Sequence, residues 1–584
     1  MKVNIYSIAA AVALVLGGAS CSDYLDKEVD LTQQADNVFS DYDMTRGFQA
    51  KLYEYLPDAF GAIGGGDQAS RDCMTDNAIC YWGNNMHKVL EDGFSSSSHA
   101  YASGFWSSYY KAIRACNQFM INAKPSVIGN SEKPGDNNRL YDRWIAETRV
   151  LRAIFHMDLA AWFGDIPIVG DDENGTPIIL SPGMAIPERT NCADALKWIA
   201  DECDKYKDDL PFRYSNEEEN WGRVNGAAAY ALRARALVYR ASPLNNPTGN
   251  KQWWEEAAQA CLDFINKNAQ QSNPYRLHTT ADNNPEQNYY DCFVTNPIHN
   301  NEYILSRSVW NQRRIEQSFA PCGFKGQESS VGRTGPTQNF VDSYETRNGL
   351  PIDKDPSYDP QNPYVNRDPR LEQTIFHHGS IWGDALNNEE REVDITFGIG
   401  EDYQSLHGGT LTGYYVKKYV SNISWNSPTD NPKACPIFRY GEVLLNAAEA
   451  LNEAGRTNDA YQYVNQVRAR VGMPAYSGMS QTELRERIQN ERRIELCFED
   501  HRYFDERRWK LFEGKTPASE VNLPRYQQVY NLYGVTIHPE QANMFVYGAA
   551  ETYPRRVFNG PKNYFFPIPY TEQVKTGLPQ TPGW

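Results

Sequence analysis

The strongest indication of the fold is in residues 438–474, FRYGEVLLNAAEALNEAGRTNDAYQYVNQVRARVGMP. Its first half repeats apolar residues at helical spacing around Ala448, and its second half does so around Ala460. Gly455 separates the two halves and Pro474 closes the second, as glycine and proline commonly do at helix ends. Two helices of this length, with small residues where they meet, are typical of a tetratricopeptide-like repeat.

A second helix pair of the same kind lies around Ala228 and Ala257, with the insert SPLNNPTGN between its helices. A further helical pattern covers residues 148–162. Repeats this degenerate indicate a scaffold and do not identify a ligand. We therefore predict a mainly α protein with a tetratricopeptide-like helical repeat scaffold.

Between residues 270 and 436 the sequence becomes rich in Asn, Pro, Gly and Tyr and loses helical periodicity. We predict a loop-rich irregular insertion here, with a few short strands. The segment NEYILSRSV, residues 301–309, alternates apolar residues at period two, and YYVKKYV, residues 414–420, has strand composition. A similar loop-rich zone, residues 59–103, interrupts the N-terminal helices. Because loops on a rigid scaffold commonly carry binding function, we expect the ligand site among these loops.

The N-terminus has the features of a signal peptide. An uncharged run from Ile5 to Leu16 leads into small residues before Cys21. The run is too short to cross a bilayer, which takes about 20 apolar residues. Cys21 is then the expected site of lipid attachment, although Gly18 stands where bacterial lipoproteins usually carry leucine. The alternative is an ordinary secreted protein in which Cys21 is incidental.

These observations predict five segments along the chain. They are a signal peptide at 1–20, a lipidated tether at 21–40, an N-terminal helical region at 41–269, a ligand-binding insertion at 270–436 and a C-terminal helical region at 437–584.

Charge and cysteine usage exclude several classes of function. The chain has 74 acidic and 57 basic residues, a net charge of −17, and no polybasic block. Nucleic acid and anionic membrane surfaces are therefore poor partner candidates. The 11 cysteines form no Cys-x-x-Cys motif, and His377-His378 has no companion ligands at metal-site spacing. We expect no metal site and no cofactor.

Aromatic residues suggest carbohydrate as the ligand. The chain has 13 Trp and 37 Tyr, and sugar rings stack on aromatic faces while Asn, Asp and Arg bind their hydroxyls. We hypothesise that Trp82, Tyr290 and Trp310 form an aromatic platform for successive sugar rings; the alternative is that they only pack against the scaffold. The candidate ligand contacts, each with polar neighbours in the sequence, are Trp82, Tyr290, Trp310, Arg71, Asp76, Asn84, Tyr289 and Arg313.

Several phrases, in order, resemble the SusD/RagB family of lipoproteins. They include ETRVLRAIFHMDLAAWFGDIPIV at 147–169, YVNRDPRLEQTIF at 364–376, NERRIELCFEDHRYFDERRW at 490–509 and FFPIPYTEQV at 565–574. The resemblance covers nearly the whole chain after residue 20. It implies a helical lipoprotein on the outer face of the outer membrane. Such proteins capture glycans, or in some members peptides, and deliver them to a SusC-like TonB-dependent transporter barrel.

The same resemblance implies a binding protein rather than an enzyme. Charges in the 490–509 phrase recur at i, i+3 and i+4 spacing, which we interpret as salt-bridged helix packing. Glu491 and Glu495 could instead be the acid and base of a glycoside hydrolase, but neighbouring arginines would hold both ionised. The other alternative is a helical scaffold of the same transport system that binds a peptide or protein and has no sugar site.

Overall fold

A computed structural model describes most of the chain. The described residues are 37–81, 85–98, 101–129, 140–181, 184–307, 310–324, 330–383, 390–404, 408–421, 431–541, 543–549 and 556–584. The predicted signal peptide and Cys21 lie outside them.

The described fold is mainly helical, which confirms the predicted fold class. Its helices are α1 (Tyr42–Lys51), α2 (Ala59–Gly64), α3 (Asn85–Leu90), α4 (Ser103–Asn122), α5 (Pro125–Ile128), α6 (Leu140–Phe163), α7 (Cys192–Tyr206), α8 (Glu217–Asn220), α9 (Gly226–Ala241), α10 (Lys251–Ala269), α11 (Asn288–Val294), α12 (Arg314–Phe319), α13 (Gln338–Ser343), α14 (Arg370–Thr374), α15 (Tyr440–Glu453), α16 (Thr457–Arg470), α17 (Gln481–Glu495), α18 (Arg502–Arg508), α19 (Pro517–Glu520) and α20 (Tyr570–Thr576). None of these is both long and apolar enough to span a bilayer.

The strands of the described residues are short and form two-stranded antiparallel ladders. They are β1 (Ala78–Cys80), β2 (Ile166–Pro167), β3 (Arg189–Thr190), β4 (Tyr303–Ser306), β5 (Thr334–Pro336), β6 (Ile375–Phe376), β7 (Ile381–Gly383), β8 (Glu390–Glu392), β9 (Tyr415–Val416), β10 (Pro436–Arg439), β11 (Tyr533–His538) and β12 (Met544–Ala549).

The long helices form one continuous stack. Helix α4 packs on α6, α6 on α7, α7 on α9 and α9 on α10, and the stack continues through α15 to α16 and α17. The two predicted helix pairs are α9 with α10 and α15 with α16. Alanines of α9 are buried on several sides of the helix, which lets both neighbours approach closely. Gly455 has a φ of 87°, a left-handed conformation that favours glycine at the turn between α15 and α16.

The loop-rich insertion begins and ends at neighbouring helices of the stack. Helix α10 ends at residue 269 and α15 begins at 440, yet the two helices are packed neighbours. Strand β4 pairs with β10, with Leu305 opposite Phe438, so the start and end of the insertion are joined.

All four residues of β4 are buried, which corrects the expected one-sided alternation, because β4 lies inside the protein rather than at its surface. Val309 lies outside the described residues. The zone 59–103 contains α2, α3 and β1 rather than loops alone.

A buried ionic cluster ties the insertion to the C-terminal helices. The Glu495 carboxylate lies 2.5 Å from Arg470 Nη2, 2.8 Å from Arg439 Nη1 and 3.1 Å from Arg370 Nη1. Burial alone would raise the pKa of Glu495, but the three arginines lower it overall. Arg370 also binds Glu491 at 2.6 Å, so both glutamates are ion-paired as the sequence predicted.

Replacing Glu495 with alanine should lower the free energy of unfolding by about 3–5 kcal/mol, because three buried arginines then lose a shared carboxylate. Urea unfolding monitored by circular dichroism measures the change. Lys197→Gln is the control, since Lys197 and Asp201 form an exposed pair on α7 worth at most about 0.5 kcal/mol. Equal, small effects of both substitutions would contradict a structural role for the cluster.

Candidate ligand-binding site around helix α12

Trp310 lies just before α12 and rests on α2. Its backbone N–H donates to Lys433 O at 2.7 Å, and its ring meets Phe60 edge-on with centroids 6.1 Å apart. A Cβ at Gly64 would stand 2.7 Å from the indole, so glycine is what allows the ring this close to α2. The indole is half-buried. Arg313 stands directly before the first residue of α12 and is also half-buried.

Tyr81 is linked to the C-terminal end of α12 by backbone hydrogen bonds through residues 331–333. Val331 N–H donates to Gln317 O and Arg333 N–H donates to Ser318 O, both at 2.8 Å. Tyr81 N–H in turn donates to Arg333 O at 2.9 Å. Trp82 and Asn84, which follow in the sequence, lie outside the described residues, and their roles stay predictions.

Tyr290 is linked to α12 through residues 420 and 421. Its hydroxyl donates to Val420 O at 2.5 Å, and the next residue, Ser421, donates its N–H to Glu316 Oε1 of α12 at 3.4 Å. The Tyr290 ring is half-buried, and the Lys417 ammonium lies 5.7 Å from its centroid. Tyr81 and Tyr290 are therefore linked to α12 through one and two intervening residues, respectively. Trp310 is linked to it through Lys433, which pairs with Glu316 of α12. Helix α12 has six residues and is about 9 Å long.

Two predicted ligand contacts are corrected by the structure, because they are buried. Asp76 accepts two hydrogen bonds from Arg502, each at 2.8 Å, and pairs with Arg493 at 3.1 Å. Burial would raise the pKa of Asp76, but both arginines lower it overall. Tyr289 donates its hydroxyl hydrogen to Glu495 O at 2.6 Å and accepts from Lys418 at 2.9 Å. Both side chains are buried in the core, where they bind other protein groups, and neither reaches the surface.

Arg71 is placed away from α12. It pairs with Asp500 and donates from Nε to Tyr101 Oη at 3.1 Å, inside a cleft on another side of α2. We call this the α2 cleft. It is lined by residues of α2, α4, α6 and α9 and of the segment 499–504. Gly64 of α2 touches Trp310, whereas Ala59, Gly61 and Ala62 line the cleft.

The structure adds a row of half-buried and exposed aromatic side chains that the sequence did not indicate. Gln404 donates to Tyr81 Oη at 3.3 Å. The neighbouring Tyr403 ring lies 5.2 Å from Phe397, which stacks on His538 at 5.1 Å with planes 18° apart. Phe397 is 46% exposed. No periodicity marks these residues, because a bridge between residues 396 and 537 brings His538 to Phe397. We call Tyr81, Tyr403, Phe397 and His538 the aromatic row.

Comparison with known proteins gives one family. The sequence model of the SusD family matches residues 266–584. SusD-like protein P25 of Formosa agariphila is 23% identical over 529 residues, which cover 87% of this chain and 90% of that protein. SusD-like protein P2 of the same organism is 32% identical over 197 residues, which cover 32% of each.

Solved structures share the fold. A SusD-like protein from Bacteroides fragilis aligns with a TM-score of 0.72 and 24% identity, covering 94% of this chain and 98% of its own. Another protein of that organism, described as a SusD-like carbohydrate binding protein, aligns with a TM-score of 0.65 and 24% identity over 92% of this chain and 98% of its own.

Gly64→Ala should displace the Trp310 indole and destabilise the protein by about 1–3 kcal/mol, the usual cost of overpacking. In protein labelled with 5-fluorotryptophan, the Trp310 fluorine resonance, assigned with Trp310→Phe, should shift. Gly66→Ala is the matched control, since a Cβ there meets no atom within 4 Å. An unshifted resonance in Gly64→Ala would contradict the close contact.

Proposed function

The chain belongs to the SusD family, and from this premise we propose that it is a glycan-binding protein that holds its ligand on the surface around α12. A structural relative is described as a SusD-like carbohydrate binding protein. The observation that carries the proposal is that Tyr81, Tyr290 and Trp310 are all linked, through intervening residues, to one short helix of the insertion.

The chemistry of this surface suits a sugar chain. A sugar ring presents C–H groups that stack on an aromatic face and hydroxyls that need polar partners. Each aromatic side chain here has such a partner nearby: Arg313 follows Trp310, Gln404 contacts Tyr81, and Lys417 lies over Tyr290. We propose Trp82, Tyr290 and Trp310 as the platform and Asn84 as a polar contact.

The aromatic row extends the same surface. It begins at Tyr81, next to Trp82 in the sequence, and continues through Tyr403 to the exposed Phe397. A platform that continues into a second set of rings favours an oligosaccharide or polysaccharide over a single sugar. We propose that successive sugar units occupy the platform and the row.

The family and the N-terminal sequence support a proposal for location and partner. We propose a surface-exposed outer-membrane lipoprotein, tethered through lipid on Cys21. We also propose that it passes glycan to a SusC-like TonB-dependent transporter and has no enzymatic activity of its own. The carboxylates that could have suggested catalysis, Glu491 and Glu495, are held in ion pairs with arginines.

Truncating Trp82 and Trp310 together to alanine should weaken glycan binding by about 1–3 kcal/mol, or roughly 5- to 150-fold, since two stacking contacts are lost. Isothermal titration with the glycan that binds best in a panel gives the affinity. Trp253→Ala on α10 removes a ring of equal size from the scaffold and should leave affinity unchanged. An unchanged affinity in the double variant would contradict the proposed site.

Cys21→Ala should release the protein from membranes while its glycan affinity stays the same, because lipid provides the tether and not the site. Membrane fractionation after a high-salt wash, with immunoblotting, measures release. If the variant still sediments with membranes, lipid on Cys21 is not the main anchor.

A further inference from the structure

The α2 cleft has the size of a small-molecule site. Its volume is about 470 Å³, within the range of roughly 300–1,000 Å³ that is usual for such sites. It contains none of Trp310, Tyr290 and Tyr81, so the surface around α12 does not account for it. The groups that line it include charged and aromatic side chains.

Carboxylates outnumber cations in the cleft. Among the described lining residues there are six carboxylates and three arginines. The arginines are already paired: Arg71 with Asp500, Arg307 with Asp58 and Arg235 with Glu442. Asp158 of α6 differs, since it accepts a hydrogen bond from Tyr109 Oη at 2.5 Å and has no ion-pair partner in the described part of the chain. The cleft therefore favours a cation beside Asp158.

His501 presents an unused donor to the same cleft. It is only 6% exposed, and Arg492 Nη2 lies 3.4 Å from its Nδ1. A guanidinium group only donates, so Nδ1 accepts and the ring hydrogen is on Nε2. Burial, together with Arg235 and Arg492, lowers the pKa of His501 well below its ordinary value, so the ring is neutral. Within the described residues, its Nε2 has no hydrogen-bond partner.

Tyr239 adds a second unused group. Its side chain is 6% exposed and lines the cleft from α9. Its hydroxyl, too, has no hydrogen-bond partner in the portion of the chain that the structure describes. Both groups line the cleft, where a ligand or water can bind them.

Aromatic rings form one wall of the cleft. Trp162 lies 5.3 Å from Phe105 and 4.8 Å from Phe504, measured between ring centroids, and Tyr101 completes the group. Such faces stack on the C–H face of a sugar and attract a cation. Neither the rings nor the neutral His501 would repel a positive charge.

We propose that the α2 cleft is a second binding site, specific for amino sugars of one or two rings. The ammonium group pairs with Asp158, hydroxyl groups bind His501 Nε2–H and the Tyr239 hydroxyl, and the sugar ring packs on the aromatic wall. The inference does not rest on the proposed glycan surface, because the two sites share no side chain.

The pH dependence of this site follows from Asp158. Burial raises the pKa of Asp158 to about 6, against the hydrogen bond from Tyr109 and the charges of Arg235 and Arg71, while Asp500 raises it further. Below that pH the carboxyl is neutral and the ion pair is lost. One pH unit below the pKa leaves about a tenth of the carboxyl ionised, so affinity should fall about tenfold between pH 7 and pH 5.

Titration calorimetry with glucosamine and galactosamine tests the proposal, with N-acetylglucosamine as the neutral match. The protein is the full chain carrying Trp82→Ala and Trp310→Ala, so that binding at the α12 surface is weakened. We expect one amino sugar per chain, at least tenfold weaker binding to N-acetylglucosamine, and the loss of affinity at pH 5.

Asp158→Asn in the same background should weaken amino-sugar binding at least tenfold while retaining a side chain that accepts from Tyr109. Glu218→Gln, which removes an exposed carboxylate outside the cleft, should have no effect. The proposal is overturned if neither amino sugar binds, if N-acetylglucosamine binds equally well, or if folded Asp158→Asn protein binds as tightly as its parent.

Discussion

The ion pairs of Glu495 with Arg370, Arg439 and Arg470 join the insertion to the helical stack. Glu495 ends α17, Arg470 ends α16, Arg439 ends β10, and Arg370 begins α14. One buried carboxylate thus fixes two scaffold helices, the returning strand of the insertion and a helix within the insertion. A charge this deeply buried is tolerated only when its partners are all in place. The geometry of the insertion is therefore coupled to correct packing of the stack.

The ion pairs continue from Glu495 to the candidate site. Arg439 also binds Glu499 at 2.7 Å, and Glu499 binds Lys418 at 2.6 Å. Lys418 lies two residues before Val420, the carbonyl partner of Tyr290. On the other side, Lys433 pairs with Glu316 of α12 and holds the backbone of Trp310. The aromatic surface is thus supported by buried ion pairs as well as by the short helices α11 and α12.

The sequence was sufficient for the scaffold and for the charged C-terminal phrase, because both follow local rules. Periodicity at 3.6 residues predicted α9, α10, α15 and α16, and charges at helical spacing predicted the ion pairs of Glu491 and Glu495. It was insufficient for individual site residues. An Asp or Tyr in a polar loop has the same sequence signature whether it faces solvent or an arginine. Asp76 meets Arg502 from 426 positions away, and no local pattern records that contact.

The aromatic row was not predicted from the sequence, because Phe397 and His538 come together only through the tertiary fold. The sequence predicts Tyr290 and Trp310 from their residue types and polar sequence neighbours, whereas their links to α12 became apparent only with the structure. A site of this kind is defined by long-range contacts. Its residue types can be predicted from the sequence, whereas its geometry cannot.

Hydrogen–deuterium exchange with and without bound glycan tests whether the ligand binds on the surface around α12. Exchange should slow on binding in α12 and in the segments linked to it, residues 78–81, 288–294 and 330–336, with no change in α9 and α10. Slower exchange confined to the helical stack, with α12 unaffected, would contradict binding at this surface.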